Sequence, residues 1–207
     1  MHTPEIHLYQ NDLPDDLVFK GSIAVDSEAM GLNPLRDRLC LVQLSGGDGV
    51  CHLVQIAQGQ SEAPNLKRLM EDEGVVKIFH YARFDVMLLK HALGIYTHPV
   101  FCTKIASKLA RTYTDQHGYK NVCRELAGVE ISKEQQSSDW GQEKLSEEQL
   151  LYAAVDVLYL HKVRERLIDM LKREGRTELA QKCFDFLHTR ADLDLAGWAE
   201  NDIFAHK

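Results

Sequence analysis

The run Ile23-Ala24-Val25-Asp26-Ser27-Glu28 puts two carboxylates into what is otherwise an apolar strand. Alternate residues of a strand share a face, so Ala24, Asp26 and Glu28 point one way, and Ile23 and Val25 the other. Two acids at this spacing stand about 7 Å apart at Cα and resist joint burial. A divalent cation between them removes the repulsion and the burial cost, and carboxylate oxygens suit Mg²⁺ or Mn²⁺. A strand that runs out into solvent after Val25 is the competing reading.

Two further acids stand in informative places. In Tyr152-Ala153-Ala154-Val155-Asp156, positions i and i+4 share a helix face. That stripe continues through Tyr159, Leu160 and Val163, so Asp156 sits in an apolar face with no Lys or Arg between Lys144 and Lys162. A metal or a structural hydrogen bond must meet that cost. Asp85, in His80-Tyr81-Ala82-Arg83-Phe84-Asp85, falls in the first turn of a helix, where an acid also favours the helix dipole.

The elements that position these acids follow from the apolar pattern. Strands are predicted at 6–9, 22–28, 39–44, 50–56, 75–79 and 100–102. The second to fourth form a meander, with Ser45-Gly46-Gly47-Asp48-Gly49 as a hairpin. Helices are predicted at 63–73, 84–93, 104–111, 119–127, 147–172 and 177–189. Gly74, Gly94, Gly128 and Gly175 stop four of them, and Ser146-Glu147-Glu148-Gln149 is a capping box. The pattern predicts one α/β domain over residues 1–207, with a mixed central sheet, flanking helices and a helical C-terminal part.

Composition narrows the function. The chain of 207 residues has 24 Lys+Arg and 31 Asp+Glu, a formal charge of −7, with 44% apolar residues. That balance fits a globular chain and a short nucleic acid better than a coat for long duplexes. Five cysteines without a C-x-x-C pair argue against zinc or a disulfide framework. Residues 1–10 lack the pattern of a leader, and no run approaches about 18 apolar residues. The expectation is a cytoplasmic chain that does not enter a membrane.

Strand, helix start and helix interior each offer an acid, the last with Tyr at i−4. This set resembles the three exonuclease motifs of the DEDD 3′–5′ exonuclease superfamily, Tyr branch (DEDDy), over residues 20–165. The remainder, 166–207, is read as a helical extension. Ser138-Asp139-Trp140 followed by Tyr152-Ala153-Ala154-Val155-Asp156-Val157-Leu158-Tyr159-Leu160 is similar to ribonuclease D. The stretch Asp26-Ser27-Glu28-Ala29-Met30-Gly31-Leu32-Asn33-Pro34-Leu35-Arg36-Asp37-Arg38 resembles oligoribonuclease, which has His in place of Tyr152. A compact Tyr-type enzyme similar to both is identified as a member of the NrnC-type nano-RNases.

The resemblance implies an RNase H-like exonuclease fold and two-metal-ion phosphodiester hydrolysis. It implies that Asp26, Glu28, Asp85 and Asp156 hold two divalent cations, Mg²⁺ or Mn²⁺, and that Tyr152 orients the attacking water. A packed core tyrosine is the other reading of Tyr152. Met30, Leu32, His80 and Trp140 are candidate substrate-binding residues, each with a plain packing alternative. Lys104, Lys108, Arg111 and Lys120 are candidate phosphate contacts or a solvated helix face. The implied substrate is short single-stranded RNA, down to dinucleotides. The alternative is a ribonuclease D-like action on longer RNA or DNA 3′ ends. Phe184, Phe186, Leu187, Leu193, Leu195, Trp198, Ile203 and Phe204 either pack on the domain or form an oligomer interface. The resemblance favours a homo-oligomer, with a closed ring as one arrangement.

Overall fold

The structure is a computed structural model that describes residues 4–132 and 134–206, so the first three residues of the 1–10 segment lie outside the described residues. Six strands form one mixed sheet in the order β1-β4-β3-β2-β5-β6. These are β1 (Glu5–Gln10), β2 (Gly21–Ala29), β3 (Leu39–Ser45), β4 (Val50–Gln55), β5 (Val75–Phe79) and β6 (Val100–Cys102). The predicted meander is present, because β2 pairs antiparallel with β3, and β3 with β4. Parallel strands flank it, with β1 on β4, β5 on β2 and β6 on β5. The connection from β2 to β5 includes the helix at Pro64–Met70 and that from β5 to β6 the helix at Ala82–Leu93, whereas β1 reaches β4 through β2 and β3.

The helices are α1 (Pro64–Met70), α2 (Ala82–Leu93), α3 (Thr103–Ala110), α4 (Tyr119–Val122), α5 (Glu147–Leu158), α6 (Leu160–Arg173), α7 (Thr177–Asp185) and α8 (Leu187–Leu193). Among the described residues, no helix is long and apolar enough to cross a membrane.

Three predicted helices are corrected. The expected 147–172 helix breaks at Tyr159, whose backbone (φ −103°, ψ −2°) sends its N–H to Val157 O. The freed Val155 carbonyl accepts the Tyr119 hydroxyl at 3.3 Å. The break has a packing reason: α5 lies over β3 and β4, whereas α6 packs on α3. The expected stripe from Tyr152 to Val163 therefore serves two different surfaces. The 177–189 helix likewise divides at Phe186, and Asp194–Trp198 adds a wide turn closed by Gly197 at φ 100°. The 119–127 helix widens into a π-type turn from Cys123 to Ala127.

The main core joins Ile23 and Val25 to Phe79, Val86, Leu88 and Leu167, and extends to Phe184, Leu187 and Ala191 of the C-terminal helices. A smaller cluster of Leu41, Leu53, Trp140, Leu145 and Ala153 lies under α5. It fixes α5 over the acid-bearing face of the sheet.

Candidate active site

The four acids come from three elements. Asp26 and Glu28 project from one face of β2, as the strand period predicts. Just beyond them the β2–β3 register shifts at Glu28 and Ala29, an irregularity that bends a strand and re-aims its side chains. Asp156 is presented by α5, which starts at the predicted capping box. Gln149 N–H donates to Ser146 Oγ at 3.2 Å, and Ser146 N–H to Gln149 Oε1 at 2.9 Å. Asp85 enters from α2, where Tyr81 takes a left-handed backbone (φ 74°) that turns the chain from β5 into the helix.

One carboxylate oxygen from each of Asp26, Glu28 and Asp156 lies within 4.8 Å of the others. Asp85 stands beside this trio, buried, with its Oδ1 accepting the Ser27 hydroxyl at 2.6 Å. The electrostatics are those of crowded acids. Burial first, then the charges of Asp85, Asp156 and Glu28, push Asp26 well above the usual carboxylate range. Glu28 is pushed up to about 9 by burial, then by Asp156 and Asp85. Burial lifts Asp85 to about 7, against the opposing hydrogen bond from Ser27. Three acid oxygens converging at this distance, each acid costly to ionise alone, fit a hard divalent cation with oxygen ligands. Tyr152 stands at the rim with its hydroxyl hydrogen-bonded to Asp156, and burial followed by the charges of Asp156, Glu28 and Asp26 raises its pKa. It remains a neutral donor at neutral pH.

Residues 9–172 fit a known family described as 3′–5′ exonuclease. The chain belongs to the 3′–5′ exonuclease family. Ribonuclease D of Gluconacetobacter diazotrophicus is 38% identical over 156 residues, covering 75% of this chain and 39% of that protein. The chain thus spans about two fifths of the length of such ribonuclease D relatives. Brucella melitensis NrnC is 57% identical, with a TM-score of 0.95 over 98% of this chain and 99% of that one. NrnC has also been solved bound to pGG and with bound Mg²⁺. Escherichia coli RNase D, 24% identical, shares the fold with a TM-score of 0.73 over 83% of this chain and 45% of its own.

Within this exonuclease fold the other candidates separate. Leu32 is 86% exposed on a braced turn. Asp37 accepts the Asn33 N–H at 3.0 Å and pairs with Arg36, and a Cβ on Gly31 would collide with the Asp37 carboxylate. Met30 is half exposed and lies against Gly141, where a Cβ would collide with its sulfur. The 30–32 turn and the 139–141 turn therefore meet at the rim. His80 is held by Thr103 Oγ1 at 2.9 Å and tilts against the Tyr119 ring. Trp140 lies beneath the site: it is 2% exposed and packs behind Tyr152 with ring centres 6.0 Å apart. Its ring is covered by Leu41, Leu53 and Ala153 of the smaller cluster.

Of the basic candidates, Arg111 is corrected. It is 1% exposed and committed to Glu125, Ser107 Oγ and Gln116 O, so no phosphate can reach it. Lys104 lies over the Tyr81 ring at 4.3 Å, and Lys108 is exposed. The sequence reading gave no role to Ser27, although strand alternation already turns it away from Asp26 and Glu28, towards the face that receives α2.

Proposed function

We propose that this chain is a metal-dependent 3′–5′ exoribonuclease that releases nucleoside 5′-monophosphates from short RNA oligonucleotides, down to dinucleotides. The observation that carries this reading is the 57% identity to Brucella melitensis NrnC, over nearly the whole of both chains, around an intact set of Asp26, Glu28, Asp85, Tyr152 and Asp156. The pGG-bound and Mg²⁺-bound forms of that relative support a short RNA substrate and Mg²⁺.

In this reading Asp26, Glu28 and Asp156 would hold one cation, and Asp85 together with Asp26 would hold a second. Bound Mg²⁺ or Mn²⁺ supplies charge neutralisation at the scissile phosphate and an activated water. Ser27 fixes the Asp85 carboxylate. Tyr152, kept protonated by its acidic surroundings, orients the attacking water through its hydroxyl. Leu32 and Met30, on the braced turn, pack against the terminal bases. Exposed Trp198, Ile203 and Phe204 supply apolar surface for a homo-oligomer. The five free cysteines suit a reducing cytoplasm.

The test is a Mg²⁺ time course on 5′-labelled RNAs of two, three, seven and about twenty nucleotides, with Asp26→Ala as control. Preferential cleavage of the dinucleotide is the expected result. Shortening of the long RNAs while the dimer survives would replace this reading with a ribonuclease D-like one. Equal behaviour of the parent and Asp26→Ala would overturn both.

A further inference from the structure

Gln43 lies at the centre of β3, directly opposite Asp26 in the β2–β3 register. It is fully buried, and neither its Nε2 nor its Oε1 has a hydrogen-bond partner. Buried side-chain amides are nearly always paired, so such a residue calls for a cause. Opposite residues of an antiparallel pair share a face, with Cβ atoms about 5 Å apart. The Gln43 amide thus occupies the acid-bearing face on the strand position opposite Asp26, without a hydrogen bond to it.

Its other neighbours on that face offer little. Leu53, its partner on β4, and Leu41, two residues before it, are apolar. Ser45, two residues after it, already gives its hydroxyl hydrogen to Val50 O at 2.8 Å. Above the face, α5 contributes buried Ala153, Ala154 and Val157.

We infer that Gln43 is a positioning residue of the catalytic site, whose amide N–H, unpaired in the structure, takes up the Asp26 carboxylate when a cation binds and holds it in the orientation the cation requires. The inference rests on Asp26 being a metal ligand. Groups that hold a ligand in this way change metal affinity or activity about 10–100-fold when removed. A buried amide held there for packing alone would give no such effect.

The experiment is calorimetric titration of the whole protein with Mn²⁺, comparing the parent, Gln43→Met and Asp26→Asn, together with metal-free melting and steady-state cleavage of a diribonucleotide. Gln43→Met keeps the length of the side chain and removes its donor. The expected result is a metal-free melting temperature no lower than the parent's, Mn²⁺ affinity lower by about 10-fold, and a fall in kcat with KM little changed. Mn²⁺ affinity and kcat within about two-fold of the parent's overturn the inference, as does a loss that merely tracks a lowered melting temperature. Parent-like Mn²⁺ binding by Asp26→Asn instead removes the metal-ligand reading beneath it. Should Gln43→Met not fold, the side-chain amide resonances of the ¹⁵N-labelled parent decide. The Gln43 pair must shift on Mg²⁺ addition, and an unmoved pair overturns the inference.

Discussion

Ser27 Oγ donates a 2.6 Å hydrogen bond to Asp85 Oδ1, joining the middle residue of one acid motif to the acid of another 58 residues away. Both groups are buried, so water does not compete for the bond. It fixes the rotamer of the one acid that stands outside the Asp26, Glu28 and Asp156 cluster.

Ser27→Ala is therefore expected to lower kcat by about 10–100-fold and to weaken Mn²⁺ binding, with little change in KM. Ser27→Thr, which keeps the hydroxyl, retains most of the rate. Steady-state kinetics on a diribonucleotide, with Mn²⁺ calorimetry, checks both. Equal rates for Ser27→Ala and the parent would show that Asp85 needs no such support.

Tyr152→Phe is expected to lower turnover by about 100-fold or more, the scale of losing a positioned proton-handling group, while Mn²⁺ affinity stays within about two-fold. The ring still packs on Trp140, so the melting temperature holds. Near-parental turnover would make Tyr152 a packing residue only.

Without metal, stability is expected to fall as pH rises. Folded-state values near 9 for Glu28 and 7 for Asp85 lie above their ordinary ones, so between them and about pH 4 the folded chain binds more protons than the unfolded chain. The stabilising contribution is full below that interval and is lost on the way up to about pH 9. Melting in EDTA between about pH 5 and pH 9 reads this loss, and excess Mg²⁺ shrinks it by favouring the ionised acids. A flat or rising profile in EDTA contradicts the crowded-acid picture.

Leu32→Ala is expected to raise KM for a diribonucleotide by several-fold without moving the melting temperature, because an 86% exposed side chain adds little to the fold. An unchanged KM would remove Leu32 from the substrate pocket.

Asp194→Ala is expected to loosen the C-terminal segment. Asp194 is buried and pairs with Arg83 of α2 at 2.7 Å and with Arg190 of α8. Removing one partner of a buried ion pair costs about 3–5 kcal/mol, and partial exposure of Arg83 reduces this to about 2–4 kcal/mol here. Chemical denaturation measures the cost, and faster proteolysis beyond residue 186 locates it.

The sequence by itself determined the local chemistry. Strand alternation put Asp26 and Glu28 on one face, the i, i+4 relation joined Tyr152 to Asp156, and the capping box set the start of α5. These are short-range consequences of backbone geometry, and residue types alone are enough to read them. Tertiary packing decided the rest. The break at Tyr159 depends on α5 and α6 meeting different partners and on a carbonyl that Tyr119 satisfies from afar. Arg111 is buried because Glu125, Ser107 and the Gln116 carbonyl surround it, and Trp140 because α5 closes over it. Ser27 meets Asp85, and Gln43 faces Asp26, through strand and helix placement that only the assembled sheet fixes, since contacts between distant segments leave no period in the chain.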